Sequence, residues 1–136
     1  MINVEFLIVT YIVSLFVDWV FQADWQASNK SKWSKKDDKI KSASALLSHS
    51  FVYACLTTIY VGSIIELSND KYLIMFIVLF ISHAIIDTRI PVKLIMLLKG
   101  MTPDQIKDTK NYGFMHIGID HRLHESVILI LAILFK

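Results

Sequence analysis

Between Met115 and Glu125 the chain reads Met-His-Ile-Gly-Ile-Asp-His-Arg-Leu-His-Glu. On a helix, His116, Asp120 and His124 follow at four-residue steps and share one face. Imidazoles and a carboxylate on one stripe are donors for a metal ion. The same step recurs in Ser14, Asp18 and Gln22, in His49 and Tyr53, and in His83 and Asp87. Each pair alone also reads as a buried hydrogen-bonded pair. Together they mean more: Asp18, Asp87 and Asp120, packed among His49, His83 and His124, would repel and take up protons unless a cation sat among them. A mixture of His and Asp suits a divalent transition metal, zinc or manganese first and iron or nickel next, better than calcium. Six such groups are enough for one ion or two.

Elements that could bring these residues together follow from the apolar segments. Of 136 residues, 54% are hydrophobic, and the mean hydropathy is +0.51. A soluble bundle of this length needs more polar surface. Four apolar segments, about 4–23, 43–65, 72–90 and 117–135, each approach the roughly 20 residues that cross a bilayer as a helix. The expected fold is therefore all-α, a four-helix transmembrane bundle in a single integral-membrane domain spanning 1–136. A short amphipathic surface helix is expected between helices three and four. There, Thr102-Pro103-Asp104-Gln105 is a capping-box start, with Asn111 and Gly113 as the stop near Lys110. Val92 to Leu98, apolar between Lys93 and Lys99, is expected to lie along the membrane surface. The segment from Met1 to Val17 lacks a basic start and a small-residue cleavage site, so it reads as a retained helix.

Charge placement orients the bundle. Net charge is only +2, which gives no reason to expect a nucleic-acid partner. Lys30, Lys32, Lys35, Lys36, Lys39 and Lys41 lie in the first connection, and Lys93, Lys99, Lys107 and Lys110 in the third. The positive-inside rule puts both connections in the cytoplasm and both termini outward. Asp18, His49, His83, Asp87, Asp120 and His124 then all fall near the cytoplasmic ends of their helices, in one layer. An ionisable group facing lipid costs on the order of 3 kcal/mol, so the stripes should face each other. Trp19, Trp25 and Trp33 read as interfacial aromatics. His121 with Glu125 forms a second four-step pair, Arg122 is placed to meet a carboxylate or a lipid phosphate, and Cys55 reads as a small core residue.

Asp18-x-x-x-Gln22 with Asn29-Lys30, Leu46-Leu47-Ser48-His49 with Tyr53, His83-x-x-Ile86-Asp87 and Asp120-x-x-x-His124 together resemble the small integral-membrane proteins grouped as domain of unknown function 3307. The resemblance covers nearly the whole chain and implies a bacterial or phage membrane protein, hence the bacterial inner membrane. It implies Asp18, Gln22, His49, His83, Asp87, Asp120 and His124 as the polar motif. The chain departs from the family pattern at Ser14, where a His is usual, and at His121, where a Gln is usual.

Three functions fit such a layer. The first is a metal-dependent hydrolase at the cytoplasmic leaflet, acting on a phosphoester or lipid-linked substrate, with His49, His83, Asp87, Asp120 and His124 holding metal. Asp18 would then be ligand or general base, and Gln22 would position water or substrate. The second is a non-enzymatic phage or prophage membrane accessory protein with a structural polar or metal core. The third is an ion or metal transporter, disfavoured because no polar step continues outward through Ile59 to Ile65 or Leu73 to Val78. Expected partners are membrane lipids and a small-molecule or lipid substrate; a homo-oligomer is compatible with the sequence.

Overall fold

A computed structural model describes residues 2–30 and 39–135. Trp33, Lys32, Lys35 and Lys36 lie outside the described residues. Among the described residues the chain is all-helical: α1 (Val4–Val20), α2 (Asp24–Asn29), α3 (Lys39–Ile64), α4 (Asn69–Asp87), α5 (Ile90–Leu98), α6 (Pro103–Lys107) and α7 (Thr109–Leu134). Two of them, α3 and α4, are long and apolar enough to cross a membrane.

The four long helices form a ring in which α1 packs on α3, α3 on α4, α4 on α7 and α7 on α1. Neighbours run antiparallel. Asn3 closes the ring: its Oδ1 accepts from Phe6 N and caps α1, while its Nδ2 donates to the Phe135 carbonyl at the far end of α7. The adjoining core of Phe6, Val61, Met75, Leu79 and Leu131 is fully dry, and the Phe6 and Phe135 rings meet edge to face at 5.1 Å. α3 and α4 approach so closely near their turn that the Tyr72 hydroxyl donates to the Gly62 carbonyl at 2.8 Å. A Cβ on Gly62 would fall 2.1 Å from the Tyr72 ring, which is why glycine stands there.

The other end of the ring carries the short helices. Gln26 caps α2 through Ala23 N and ties it to α3 by donating to Ser48 Oγ at 3.0 Å. After Asp87 the chain turns at Arg89, whose φ of 60° places a non-glycine residue in the left-handed region at a cost of about 1 kcal/mol. Pro91 then starts α5 in the first helical turn, where its missing N–H is not needed. Val92 and Met96 of α5 and Ile106 of α6 make a second, smaller core beneath Met115, Ile119 and Leu123 of α7.

Helix boundaries depart from expectation in the third connection. The Thr102 capping box forms as expected, but Asn111 and Gly113 do not stop a helix; α6 ends at Lys107, and both residues lie inside α7. The reason is Asp108. Its carboxylate accepts from Asn111 N at 3.1 Å and from Asn111 Nδ2 at 2.6 Å, so Asn111 serves a new N-terminal cap. These hydrogen bonds hold the Asp108 carboxyl below its usual range. α7 therefore begins eight residues before the expected Ile117, and His116, Asp120 and His124 all become helix-interior positions.

Candidate metal centre

Four helices deliver side chains to one buried point at the end of the ring next to α2. Asp18 comes from the last turn of α1, His49 from the first half of α3, His83 and Asp87 from the last turns of α4, and His124 from the middle of α7. Helical spacing explains the pairing of His83 with Asp87, since four residues bring both onto the inner face. Burial is near complete for His49, His83 and Asp87, at 2%, 1% and 4% exposed.

The distances are those of donors around a common centre. His49 Nε2 lies 3.0 Å from Asp18 Oδ1, 2.9 Å from His83 Nε2 and 3.4 Å from Asp87 Oδ2. His83 Nε2 lies 3.3 Å from Asp87 Oδ2 and 3.7 Å from Asp18 Oδ1. A tetrahedral ion with bonds of about 2.0–2.1 Å keeps its ligand atoms about 3.3 Å apart, in the middle of this set. On the other side of His83, His124 Nε2 lies 3.7 Å from Asp87 Oδ1. Asp18, His49 and His83 form one metal-capable group, and His83, Asp87 and His124 a second that shares His83.

Hydrogen bonding cannot account for this arrangement by itself. His49 Nε2 has either one proton or one lone pair, yet it faces Asp18 Oδ1, His83 Nε2 and the Gln22 side-chain amide, the last at 3.0 Å. At most one of those three contacts is served. A cation at the centre serves the imidazole nitrogens and the carboxylate oxygens together, so the residues present fit a divalent ion. His124 Nε2 is likewise buried without a hydrogen-bond partner.

Three further residues shape the site. The Tyr53 ring stacks on His83 with centroids 3.8 Å apart and planes 21° apart, fixing the imidazole. Lys30 at the end of α2 places its ammonium 2.7 Å from Asp87 Oδ2. Spacing within helices says nothing about Lys30, because it arrives from another element; its adjacency to Asn29 in the family-like motif was the only signal. Ser14 lines a narrow cleft between α1 and α7 together with Asp18, Tyr53, His121 and His124. That cleft has room for about 20 Å³, a single water. Ser14 and His121 thus both border the site.

The remaining candidates lie elsewhere or at the margin. Asp120 belongs to neither metal-capable group, although its Oδ1 is buried without a hydrogen-bond partner. His116 is buried and spends its Nε2 on the Ile106 carbonyl at 2.9 Å, joining α6 to α7. Glu125 pairs with Arg122 of its own helix and accepts from the Tyr11 hydroxyl at 3.4 Å. Trp19 and Trp25 stand on the exterior, 74% and 46% exposed. A family model described as "Protein of unknown function (DUF3307)" matches residues 6–136. No curated protein and no solved structure matches the chain.

Proposed function

We propose, for a chain that belongs to the DUF3307 family, an integral-membrane, metal-dependent hydrolase acting at the cytoplasmic leaflet on a phosphoester or lipid-linked substrate. The observation that carries this reading is the convergence of Asp18, His49, His83, Asp87 and His124 from four helices at metal-ligand spacing. A bound zinc or manganese ion would supply Lewis acidity and lower the pKa of a coordinated water toward about 7. Asp18, whose side chain is 31% exposed while its Oδ1 reaches His49, stands between the buried donors and the water-sized cleft and would take the proton from that water. Gln22, whose amide lies 3.0 Å from His49 Nε2 at the edge of the centre, would position the coordinated water or the substrate. Tyr53 stacking and burial keep His83 from turning away.

Membrane integration as a four-span bundle is supported by the exterior of the ring. Ile8, Ile12 and Phe16 of α1, Ile59 of α3, Ile74, Ile77, Ile81 and Ile85 of α4, and Ile130 and Ile133 of α7 are all exposed. Apolar surface of this extent marks a membrane or protein contact, and its presence on all four long helices favours lipid. Lysines at the site end, Lys39, Lys41, Lys93, Lys99, Lys107 and Lys110 among them, favour the cytoplasmic face of a bacterial inner membrane with both termini outward. Membrane lipids are the expected partners, and nucleic acid is not.

A second reading rests on Lys30. An ammonium already paired with Asp87 gives the carboxylates part of the positive charge they need, as a structural polar core in a non-enzymatic membrane accessory protein would require. Transport is the weaker alternative. Above the site, buried Ser14, Thr10 and Thr57 continue a polar thread, and Phe6, Val61, Met75 and Leu131 close it with an apolar layer.

Elemental analysis of the detergent-purified protein beside His83→Ala and His124→Ala decides between these. One or two equivalents of a transition metal, lost in both variants, with hydrolysis of phosphoester substrates in the wild type alone, supports the hydrolase. Absence of metal from every sample, with the variants only less stable, assigns the residues to a polar core.

A further inference from the structure

Beyond the metal centre, on the same side of the ring, α5, α6 and α7 enclose a cleft of about 500 Å³, within the range of sites that hold small molecules. Its wall carries three cations, Arg89, Lys93 and Lys107, with Leu97, Pro103 and Ile106 as apolar lining and His116 and Thr109 from α7. Arg89 and Lys93 are one helical turn apart and Leu97 one turn further, so they line one side of α5. No carboxylate among the described residues forms an ion pair with any of the three cations. Asp108, beside the cleft's Thr109, is held by Asn111, and Asp120 acts on Arg89 through space without pairing with it. Arg89 is held there by a left-handed backbone that a side chain rarely adopts. Next to the cleft, Ile90, Leu94, Leu97 and Leu98 of α5 are exposed as a stripe, while Val92 and Met96 on the opposite face are buried. Cations in a cleft beside an open apolar stripe match an amphiphile with an anionic head.

We infer that this cleft binds the phosphate of an anionic glycerophospholipid, its acyl chains lying along the α5 stripe. The cleft adjoins the metal centre at Arg89, two residues after Asp87, and extends away from it: on α7 its His116 precedes His124 by eight residues, a rise of about 12 Å, so a phosphate held by Lys93 and Lys107 is not the group at the metal. The inference depends on membrane contact but not on hydrolysis, and it survives a metal-free centre. The cleft would hold the protein's surface helices against the cytoplasmic leaflet or recruit lipid to it.

The test uses the full chain in phosphatidylcholine nanodiscs, titrated with short-chain phosphatidylglycerol, short-chain phosphatidylcholine and inorganic phosphate, with intrinsic fluorescence and native mass spectrometry as readouts. Wild type is expected to prefer phosphatidylglycerol over phosphatidylcholine at least tenfold. Each basic residue near an anionic surface contributes roughly fivefold, so Arg89→Gln/Lys93→Gln/Lys107→Gln should weaken phosphatidylglycerol binding on the order of 100-fold. Lys93→Gln/Lys107→Gln, both exposed and therefore without risk to folding, should weaken it on the order of 25-fold. Metal content should stay that of wild type in Lys93→Gln/Lys107→Gln. Undiminished phosphatidylglycerol preference in the double variant overturns the proposal. Binding of inorganic phosphate as tight as that of the lipid also overturns it, in favour of a soluble phosphate ligand.

Discussion

Removal of the Lys30 charge separates a metal centre from a self-sufficient polar core. Lys30 Nζ and Asp87 Oδ2 are 2.7 Å apart, with side chains 15% and 4% exposed. Lys30→Met keeps the stem and deletes the ammonium. Breaking a buried pair from one side costs about 3–5 kcal/mol; this lysine is partly solvated and the nearby imidazoles relieve some of the charge, so about 2–3 kcal/mol is expected. In a chain of this length that corresponds to a fall of roughly 8 °C in melting temperature in the presence of chelator. Zinc should reverse the sign of the effect. A unit charge about 4 Å from another is worth about 4 kcal/mol at an effective dielectric constant of 20. A lysine that can swing aside forfeits part of that, leaving about 1–3 kcal/mol of competition with a cation at Asp87, or roughly 10- to 100-fold in affinity. Lys30→Met should therefore bind zinc at least tenfold more tightly than wild type in competitive chelator titration, and zinc should raise its melting temperature by more. Equal zinc affinity in a folded variant, or no zinc-induced stabilisation of either protein, refutes Asp87 as a ligand.

Two more predictions address the frame around the site. Gly62→Ala puts a methyl 2.1 Å from the Tyr72 ring and breaks the hydroxyl's bond to the Gly62 carbonyl, so it should destabilise by about 1–2 kcal/mol despite alanine's better helix propensity; in a Tyr72→Ala background the same change should become neutral or stabilising, read as melting temperature in detergent. In a Trp25→Phe/Trp33→Phe background, fluorescence of the exposed Trp19 should be quenched by lipids brominated near the headgroup and spared by aqueous acrylamide, and the opposite pattern would remove α1 from the bilayer.

Much of the architecture was legible in the sequence because helix formation and burial periodicity are local. Four-residue steps put His83 with Asp87 and Asp120 with His124 on shared faces, and 3.6 residues per turn leaves no other outcome once a helix exists; α1 ends at Val20 rather than at the expected 23, so Gln22 reaches the site from the connection instead. Apolar length marked α3 and α4, the two helices among the described residues that are long and apolar enough to cross a membrane. The start of α7 was not legible, because Asp108 caps it through a side-chain geometry that competes with the stop signals at Asn111 and Gly113.

What only the tertiary structure decided is which atoms meet. Helix rotation and crossing bring His49 Nε2 to Asp18 and His83, carry Lys30 from α2 onto Asp87, leave Asp120 outside both ligand groups, and turn His116 to a backbone carbonyl. Spacing along a helix determines the face a residue occupies; the distance between faces of different helices depends on packing of the whole core, in which Tyr53, Gly62 and Phe6 take part as much as any ligand.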